Sequence, residues 1–315
     1  EKHIEVNKNS YSPSTRSLYK SYIKNHYKPF FGNKKVKEIN EYHAKEFKNK
    51  ILEECPGSAR RIFSFIKTVF RDAMKDKSPF KDVKLPKEKD RDYSSVPETE
   101  EFQRIHEGVL GTDYEPKVLL AGWGGLRREE VFALKLNDLN FNKNIVKVDE
   151  AYVINDNGTY EFKDTKSYNG LRNVIVPKYL MDLLKPIADE RSRELMNTDL
   201  SKLSEVEVEE LKRLFRQRPD NFTSSFAKMV RRKGLPKIRF HDLRHYQACW
   251  LYDNNIPDDY ASKRMGHSKE VLRKIYQHLR PKKESELDER IIQLYEQQKS
   301  EKRIIKYQKS IKRSI

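Results

Sequence analysis

Apolar residues in the first 75 positions recur every three or four residues, which is the spacing of an amphipathic helix. This spacing predicts helices over about 12–28, 40–52 and 58–74, with Pro29 ending the first. The last of these has the most regular apolar face, formed by Ile62, Phe63, Ile66, Val69, Phe70 and Ala73. The N-terminal part of the chain should therefore fold as a small all-helical unit.

The apolar pattern then stops and restarts. Residues 84–96 contain almost no apolar side chain, which predicts an extended, solvated linker. A helix capped by Thr99 follows, and residues 115–136 predict two short helices separated by Gly124 and Gly125.

From about residue 145 the apolar period changes to two, the period of a strand. Strands are predicted at 145–148, 160–163 and 173–176, and Asn157-Gly158 signals a hairpin turn. Helical spacing then returns, with helices expected at about 178–195, 204–217, 222–233, 241–254, 258–265 and 269–278. The predicted fold class is mainly α with a small antiparallel β-sheet. The expected domains are a helical one over 1–83, a linker over 84–96, an α+β one over 97–280 and a helical tail over 281–315.

Composition narrows the class of protein. The 315 residues are 36% hydrophobic and 36% charged, and 15 Phe, 17 Tyr and 2 Trp supply large groups for packed cores. The sequence has no run of about 18 apolar residues and no signal peptide, so we expect an intracellular, cytoplasmic protein without a membrane span. The absence of an initial Met leads us to expect that an upstream segment has been removed. Cys55 and Cys249 are too few for a disulfide framework or a four-thiolate metal site.

Charge points to a polyanionic partner. The formal net charge is +17, and residues 1–96 carry 23 basic and 13 acidic side chains. Nucleic acid is the favoured partner, and a merely soluble basic protein is the alternative. The basic residues of the third predicted helix are the candidate contacts in this region: Arg60, Arg61, Lys67 and Arg71.

Two arginines lie near predicted helix starts. Arg127 follows a glycine pair, and its planar guanidinium could join the helix-terminal amides in binding an anionic oxygen, held by Glu130 three residues on. The alternative is a surface ion pair. His241 and Arg244 are i, i+3 neighbours on one helical face, so both can reach a single phosphate. The alternative there is a solvated helix start.

Three further groups are candidates in combination. Lys166 lies in the turn before the third predicted strand, where it is either solvated or placed to enter a DNA groove. His267 lies in a turn after Met265-Gly266, and Tyr276 follows nine residues later. Taken alone, His267 is a turn residue and Tyr276 a half-buried aromatic. We find no phosphate-binding glycine loop and no convincing set of metal ligands.

The order and spacing of these groups resemble the tyrosine recombinase (phage integrase) family. The resemblance covers about residues 11–280 and rests on six positions that match in order. These are the arginine of Gly-Leu-Arg127-x-x-Glu130, the hairpin Lys166, both ends of His241-x-x-Arg244, the histidine of Gly-His267, and Tyr276. The departures from the family pattern affect packing and orientation, not the reacting groups: Gly124, Tyr246, Cys249, Leu272 and Arg273.

The resemblance implies a site-specific integrase that cleaves and rejoins the DNA of a mobile element or phage. It implies that Tyr276 forms a 3′-phosphotyrosine link without any metal or nucleotide cofactor. Arg127 and Arg244 would bind the nonbridging oxygens. His241 would accept the tyrosine proton, and His267 would be a second donor to the phosphate. Lys166 would protonate the departing 5′ oxygen, and Glu130 would support Arg127. Lys166 and Arg172 would also contact DNA.

The resemblance also implies partners. The two domains would clasp double-stranded DNA at the element ends and the target site, and the tail over 285–315 would dock on a neighbouring protomer of a homo-tetramer. Accessory DNA-bending proteins and an upstream domain for arm-type DNA sites are further expectations. Two alternatives remain: a relaxing type IB-like topoisomerase with the same chemistry, and a non-catalytic DNA-binding regulator.

Overall fold

The protein is described here from a computed structural model, which describes residues 1–86, 96–155, 157–164, 170–279, 289–293 and 296. The chain forms two compact units, residues 1–91 with 152–163, and residues 92–151 with 164–315. Among the described residues, we find no helix that is both long and apolar enough to cross a membrane.

The first unit is built from helices. Their bounds are Lys2–Val6 (α1), Pro13–Tyr22 (α2), Lys28–Phe31 (α3), Glu41–Glu54 (α4) and Pro56–Met74 (α5). Pro29 does not end the first predicted helix, because a π-helical turn over Ile23–Tyr27 widens the backbone and α3 continues with Pro29 in its first turn. A proline fits there because its fixed φ is close to the helical value and it lies in the first turn of α3.

Aromatic side chains dominate the core of this unit. Phe47 of α4 is fully buried, and its ring lies 5.7 Å from that of Tyr27 and 5.2 Å from that of Phe30. Tyr19 stacks on Phe65 at a centroid separation of 3.6 Å, which ties α2 to α5. Most of the apolar face predicted for α5 is confirmed, because Ile62, Phe63, Ile66 and Phe70 are buried. Val69 is half-buried, and Ala73, near the end of the helix, is exposed.

Helices also dominate the second unit. Their bounds are Thr99–Val109 (α6), Glu115–Gly122 (α7), Arg128–Ala133 (α8), Lys178–Met196 (α9), Glu205–Lys212 (α10), Pro219–Arg232 (α11), Phe240–Asp253 (α12), Asp258–Met265 (α13) and Lys269–Leu279 (α14). The sequence predicted a longer α10, to residue 217. Instead the chain extends after Lys212, where the N–H of Leu214 donates to the carbonyl of Leu134 at 2.9 Å and Leu214 enters the core.

The described strands are Leu139–Asn140 (β1), Ile145–Val148 (β2), Glu150–Ile154 (β3), Tyr160–Asp164 (β4) and Arg172–Ile175 (β5). They form an antiparallel three-stranded sheet in the order β1-β2-β5, and a separate β3-β4 pair. Val146 pairs with Val174 in the larger sheet, and both are fully buried. The fold class is confirmed. The prediction of a single sheet is wrong, because β2 pairs within the three-stranded sheet whereas β3, the next strand along the chain, pairs with β4.

The β3-β4 hairpin groups with the N-terminal helices, whereas the sequence analysis placed residues 152–163 in the α+β domain. Tyr152 stacks on Tyr160 within this hairpin at a centroid separation of 5.0 Å. Cross-strand aromatic pairs of this kind stabilise a two-stranded ribbon that has little core of its own.

Helix α12 is the central helix of the second unit, with ten of its 14 residues buried. Tyr246 of α12 stacks on Phe102 of α6 at 4.3 Å, and Phe240 packs edge-on against Phe222 of α11 at 4.9 Å. Leu243 and Ala248 face inward as predicted. A helix that is packed on all sides holds its side chains rigidly, and α12 is the helix that carries Arg244.

Candidate active site

The segment before α8 positions the first arginine. Gly125 takes a left-handed backbone with φ +68°, and Arg127 is the N-cap residue of α8. The N–H of Arg127 donates to Glu130 Oε2 at 2.7 Å, and its Nη1 donates to Glu130 Oε1 at 2.6 Å. The predicted Arg127–Glu130 pair is therefore present, but it is a backbone and side-chain clamp and not a surface ion pair.

Glu130 is shared by three guanidinium groups. Arg172 donates to Glu130 Oε2 from Nη2 at 2.7 Å and to Oε1 from Nη1 at 3.1 Å, and Nη1 of Arg244 lies 3.8 Å from Oε2. The Glu130 side chain is only 1% exposed. Burial raises its pKa, but the hydrogen bond and charge of Arg172, with the charges of Arg244 and Arg127, outweigh burial and hold the pKa at about 2.

Arg244 is fully buried. It donates from Nη1 to the carbonyl of Gly125 and from Nη2 to the carbonyl of Met265. Burial and then the charge of Arg127 lower its pKa, while Glu130 opposes them, and an arginine in this setting still stays charged. Its Nε has no hydrogen-bond partner among the residues that the structure describes. Three guanidinium groups around one carboxylate leave positive charge in excess.

The turn after α13 completes this cluster. Gly266 caps α13 in the left-handed conformation, and its carbonyl accepts a hydrogen bond from Arg127 Nη2 at 2.7 Å. His267 follows directly, so the turn places its imidazole beside the arginines. Burial, and then the charges of Arg244 and Arg127, lower the pKa of His267 to about 2, so the ring is neutral near pH 7. A neutral imidazole still carries one N–H donor.

His241 lies on the first turn of α12 and is exposed. Its ring packs edge-on against that of the buried His245, with centroids 4.7 Å apart. Both imidazoles contribute to the lowered pKa of His267, so the start of α12 lies close to the turn after α13. His245 is not among the residues predicted from the sequence.

Arg172 occupies a different place from the one predicted. The sequence analysis put it on a DNA-contacting surface, but its side chain is 5% exposed and its donors are engaged inside the unit. The contact of Arg172 with DNA therefore stays a prediction.

Lys166 lies outside the described residues. Tyr276 lies on α14, one helix beyond His267, and its side chain is likewise outside the described part. The roles assigned to Lys166 and Tyr276 therefore stay predictions.

The backbone acceptors were not predicted from the sequence. The carbonyls of Gly125, Met265 and Gly266 bind arginines as directly as Glu130 does. Arg264 was also missed, and it links three elements by donating to the carbonyls of Ile175 and Trp123, each at 2.9 Å. The only sequence signal for these contacts is the left-handed preference of the glycines.

A second basic site lies in the first unit. Lys67, Arg71, Lys75 and Lys81 line a cavity of about 540 Å³, with Asp76 as the acidic residue among its lining side chains. Lys67 and Arg71 were predicted to contact DNA, and Lys75 and Lys81 extend that set. Of the other two predicted residues, Arg61 is exposed and Arg60 donates to the carbonyl of Pro86 at 2.6 Å.

The matches to known proteins define a tyrosine recombinase, an enzyme that binds DNA and cleaves and rejoins its strands. The chain belongs to the phage integrase family, which matches residues 106–283. The N-terminal SAM-like domain of phage integrases matches residues 1–52.

Individual relatives agree with this membership. The tyrosine recombinase XerC-like protein of Caldanaerobacter subterraneus subsp. tengcongensis is 26% identical, over 93% of this chain and 81% of that protein. The integrase of Mycobacterium phage D29 is 21% identical, over 89% of this chain and 74% of that protein.

Solved structures share the fold. The Tn1549 transposon integrase in complex with transposon right end DNA superposes with a TM-score of 0.71 at 16% identity, over 87% of this chain and 92% of that chain. A lambda integrase dimer bound to a COC′ core site superposes with a TM-score of 0.62 at 18% identity, over 87% of this chain and 75% of that chain.

Proposed function

We propose that this recombinase is the integrase of a mobile element or phage and acts at specific DNA sites inside the cell through a 3′-phosphotyrosine intermediate. The observation that supports it most is the convergence of Arg127, Arg244 and His267 from three separate segments onto one positively charged place. A phosphodiester carries a negative charge that repels nucleophiles, so its cleavage needs such a preorganised cation cluster.

The proposed chemistry begins with the phenol of Tyr276. His241 accepts the phenol proton, the phenolate oxygen attacks the scissile phosphorus, and a Tyr276–phosphate bond forms as the bond to the 5′ oxygen breaks. Lys166 gives a proton to the departing 5′ oxygen. One phosphoester bond forms as another breaks, so the 5′ hydroxyl of a partner strand can later attack the Tyr276–phosphate bond and release Tyr276.

The arginines act on the phosphate in this scheme. Arg127 keeps 33% of its side chain exposed, and Arg244 keeps an Nε that has no hydrogen-bond partner among the described residues. The exposed part of Arg127 fits a guanidinium that can bind an anionic oxygen as charge builds in the transition state, and the fully buried Arg244 adds its positive charge close to it. The neutral His267 then serves as a hydrogen-bond donor to the same phosphate.

The first unit contributes binding. The cations around the cavity of α5 suit phosphate oxygens, which carry no sequence information but fix the position of a protein on a duplex. The duplex partner is the element end or the target site, and accessory DNA-bending proteins belong to the same proposal.

We also propose that the protein works as a tetramer on DNA, linked through residues 285–315. Support comes from a lambda integrase tetramer bound to a Holliday junction, which shares the fold with a TM-score of 0.56. Nearly all of this tail lies outside the described residues. Deleting residues 285–315 should reduce recombination more than binding to a single duplex, and equal loss of both would contradict the exchange of tails.

A nicked duplex that carries a candidate element end tests the chemistry. The nick lets the short 5′-hydroxyl fragment leave, so a covalent protein–DNA adduct accumulates. Tyr276→Phe should abolish the adduct and leave binding within about twofold, because it removes only the nucleophilic oxygen.

The control for this test is Tyr42→Phe, at an exposed tyrosine of α4, which should form the adduct like the unmodified protein. If the unmodified protein binds the duplex and forms no adduct, it is a DNA-binding regulator. Relaxation of supercoiled DNA without joining of two sites would identify a topoisomerase.

A further inference from the structure

Three successive carbonyls at the end of α13 each accept a hydrogen bond from a different arginine. Arg172 Nε donates to the carbonyl of Arg264 at 2.8 Å, Arg244 Nη2 to that of Met265, and Arg127 Nη2 to that of Gly266 at 2.7 Å. The last carbonyls of a helix lack intrahelical partners and carry partial negative charge, so they attract cations. This turn therefore sets the spacing of the three guanidinium groups.

The side chain of Arg172 joins the turn to Glu130 by three hydrogen bonds, whereas the side chain of Arg127 makes two to Glu130 and the turn. Nη1 and Nη2 of Arg172 donate to the two carboxylate oxygens, and its Nε donates to the carbonyl of Arg264. Nη1 also donates to the carbonyl of Gly170 at 3.2 Å. The planar guanidinium spans both acceptors at once, which a lysine ammonium at the end of a flexible stem does not.

We propose that Arg172 is a positioning residue, which holds Glu130 and the turn at Arg264–Gly266 so that Arg127 and Arg244 face the scissile phosphate in the geometry that cleavage needs. The proposal rests on the proposed phosphoryl transfer. Arg172 itself is buried, and it acts through Glu130, which clamps Arg127, and through the turn, which holds all three arginines.

The energetic argument concerns orientation. Without Arg172, Glu130 keeps Arg127 as its close partner, and the carbonyl of Arg264 loses its side-chain donor. Both changes shift the acceptors that fix Arg127. A displacement of about 1 Å at a reacting centre can reduce a rate about 100-fold. We expect cleavage by Arg172→Gln and Arg172→Lys to be about 10- to 100-fold slower, with DNA affinity within about threefold.

The first experiment measures single-turnover adduct formation on the nicked duplex, in parallel with binding and thermal unfolding. Arg213→Gln is the matched control, because Arg213 is 4% exposed and also paired with a glutamate, Glu210, at 3.1 Å. This control should lose stability as Arg172→Gln does, yet cleave at the normal rate below its unfolding temperature. Equal loss of cleavage in both variants would overturn the proposal, since the defect would then be general destabilisation.

A second experiment uses an uncharged substrate to distinguish a defect in the orientation of the arginines from a general defect in the fold. A methylphosphonate at the scissile position is uncharged, so its cleavage depends less on neutralisation by arginine. The defect of Arg172→Gln should shrink at least fivefold on this substrate. An undiminished defect would show that Arg172 does not act through the arginines.

A double-mutant cycle tests the route through Glu130. If Arg172 acts through Glu130, Arg172→Gln should slow cleavage much less in a Glu130→Gln background than in the unmodified protein. Fully additive effects would remove Glu130 from the route. The proposed function fails separately, when the unmodified protein itself gives no adduct, whereas normal cleavage by Arg172→Gln overturns only the positioning role.

Discussion

Met265 fills the space beside Gly125. A Cβ atom placed on Gly125 would lie 2.5 Å from Met265 Sδ, and Gly125 has a φ of +68°. The carbonyls of the same two residues bind Arg244. Packing between the loop before α8 and the end of α13 therefore sets the position of the buried arginine.

Gly125→Ala should consequently disturb both stability and cleavage. The left-handed backbone and the contact with Met265 together should cost about 2–4 kcal/mol, and cleavage should slow because the acceptor of Arg244 moves. Urea unfolding and adduct formation measure the two effects. Gly234→Ala is the control, because Gly234 has a φ of +62° with nothing within 4 Å of the added Cβ. It should cost about 1 kcal/mol, with normal cleavage. Equal effects of the two substitutions would contradict the role of the Met265 contact.

Arg127→Lys should reduce the cleavage rate by about 100- to 1,000-fold while changing DNA affinity little. A lysine keeps the charge but cannot bind Glu130 and the Gly266 carbonyl together and still present a planar donor pair. Single-turnover adduct formation and a binding titration check this. Arg193→Lys, at a surface arginine of α9, should behave like the unmodified protein. A parallel loss of affinity and rate in Arg127→Lys would point to a contact used only for binding.

The free protein should lose stability as the pH falls from 7 to 5. The folded pKa of His267 is about 2, below the ordinary value of 6.5, so the unfolded chain takes up a proton in this range and the folded chain does not. The loss from this residue is at most about 1.4 kcal/mol per pH unit. Glu130 adds to this loss only below about pH 4.5, because the unfolded carboxylate takes up a proton there, whereas the folded pKa is about 2. His267→Gln should flatten the dependence between pH 7 and 5, which urea unfolding at a series of pH values measures. An unchanged dependence would contradict the lowered pKa of His267.

The aromatic core of the first unit gives a stability prediction. Phe47→Ala should destabilise this unit by about 3–5 kcal/mol, because the fully buried ring contacts other aromatic rings and its removal leaves a cavity. Tyr42→Ala, on the same helix but 68% exposed, should change stability by less than about 0.5 kcal/mol. Urea unfolding followed by tyrosine fluorescence distinguishes them, and similar losses would mean that α4 is not anchored through Phe47.

The basic cavity of the first unit gives a prediction about salt. If Lys67 and Arg71 contact phosphates, replacing either by Ala should reduce the slope of log affinity against log salt by about 1, because one counterion fewer is released. Lys50→Ala is the control, because Lys50 lies on α4 and does not line the cavity. Filter binding between 50 and 200 mM salt measures the slopes. Unchanged slopes for Lys67→Ala and Arg71→Ala would remove this cavity from the DNA interface.

Local patterns carried much of the prediction. The apolar period of three to four residues located α5 and α12, and the helix predicted to begin near residue 40 is α4, where Asn40 accepts a hydrogen bond from the N–H of His43. Such signals depend on residues within one or two turns of each other. The candidate residues were found by the same local reading, as Gly-Leu-Arg, His-x-x-Arg and Gly-His segments.

The sequence by itself determined the fold class, most of the helices and the family, because each of these depends on short-range patterns of apolar, capping and motif residues. The tertiary structure alone decided that Arg172 lies inside on Glu130, that successive carbonyls of α13 hold the arginines, and that β2 and β3 join different sheets. Backbone carbonyls are the same in every residue, so a sequence does not mark which of them will receive an arginine. Only the packing of α8, α12, α13 and β5 brings donor and acceptor together.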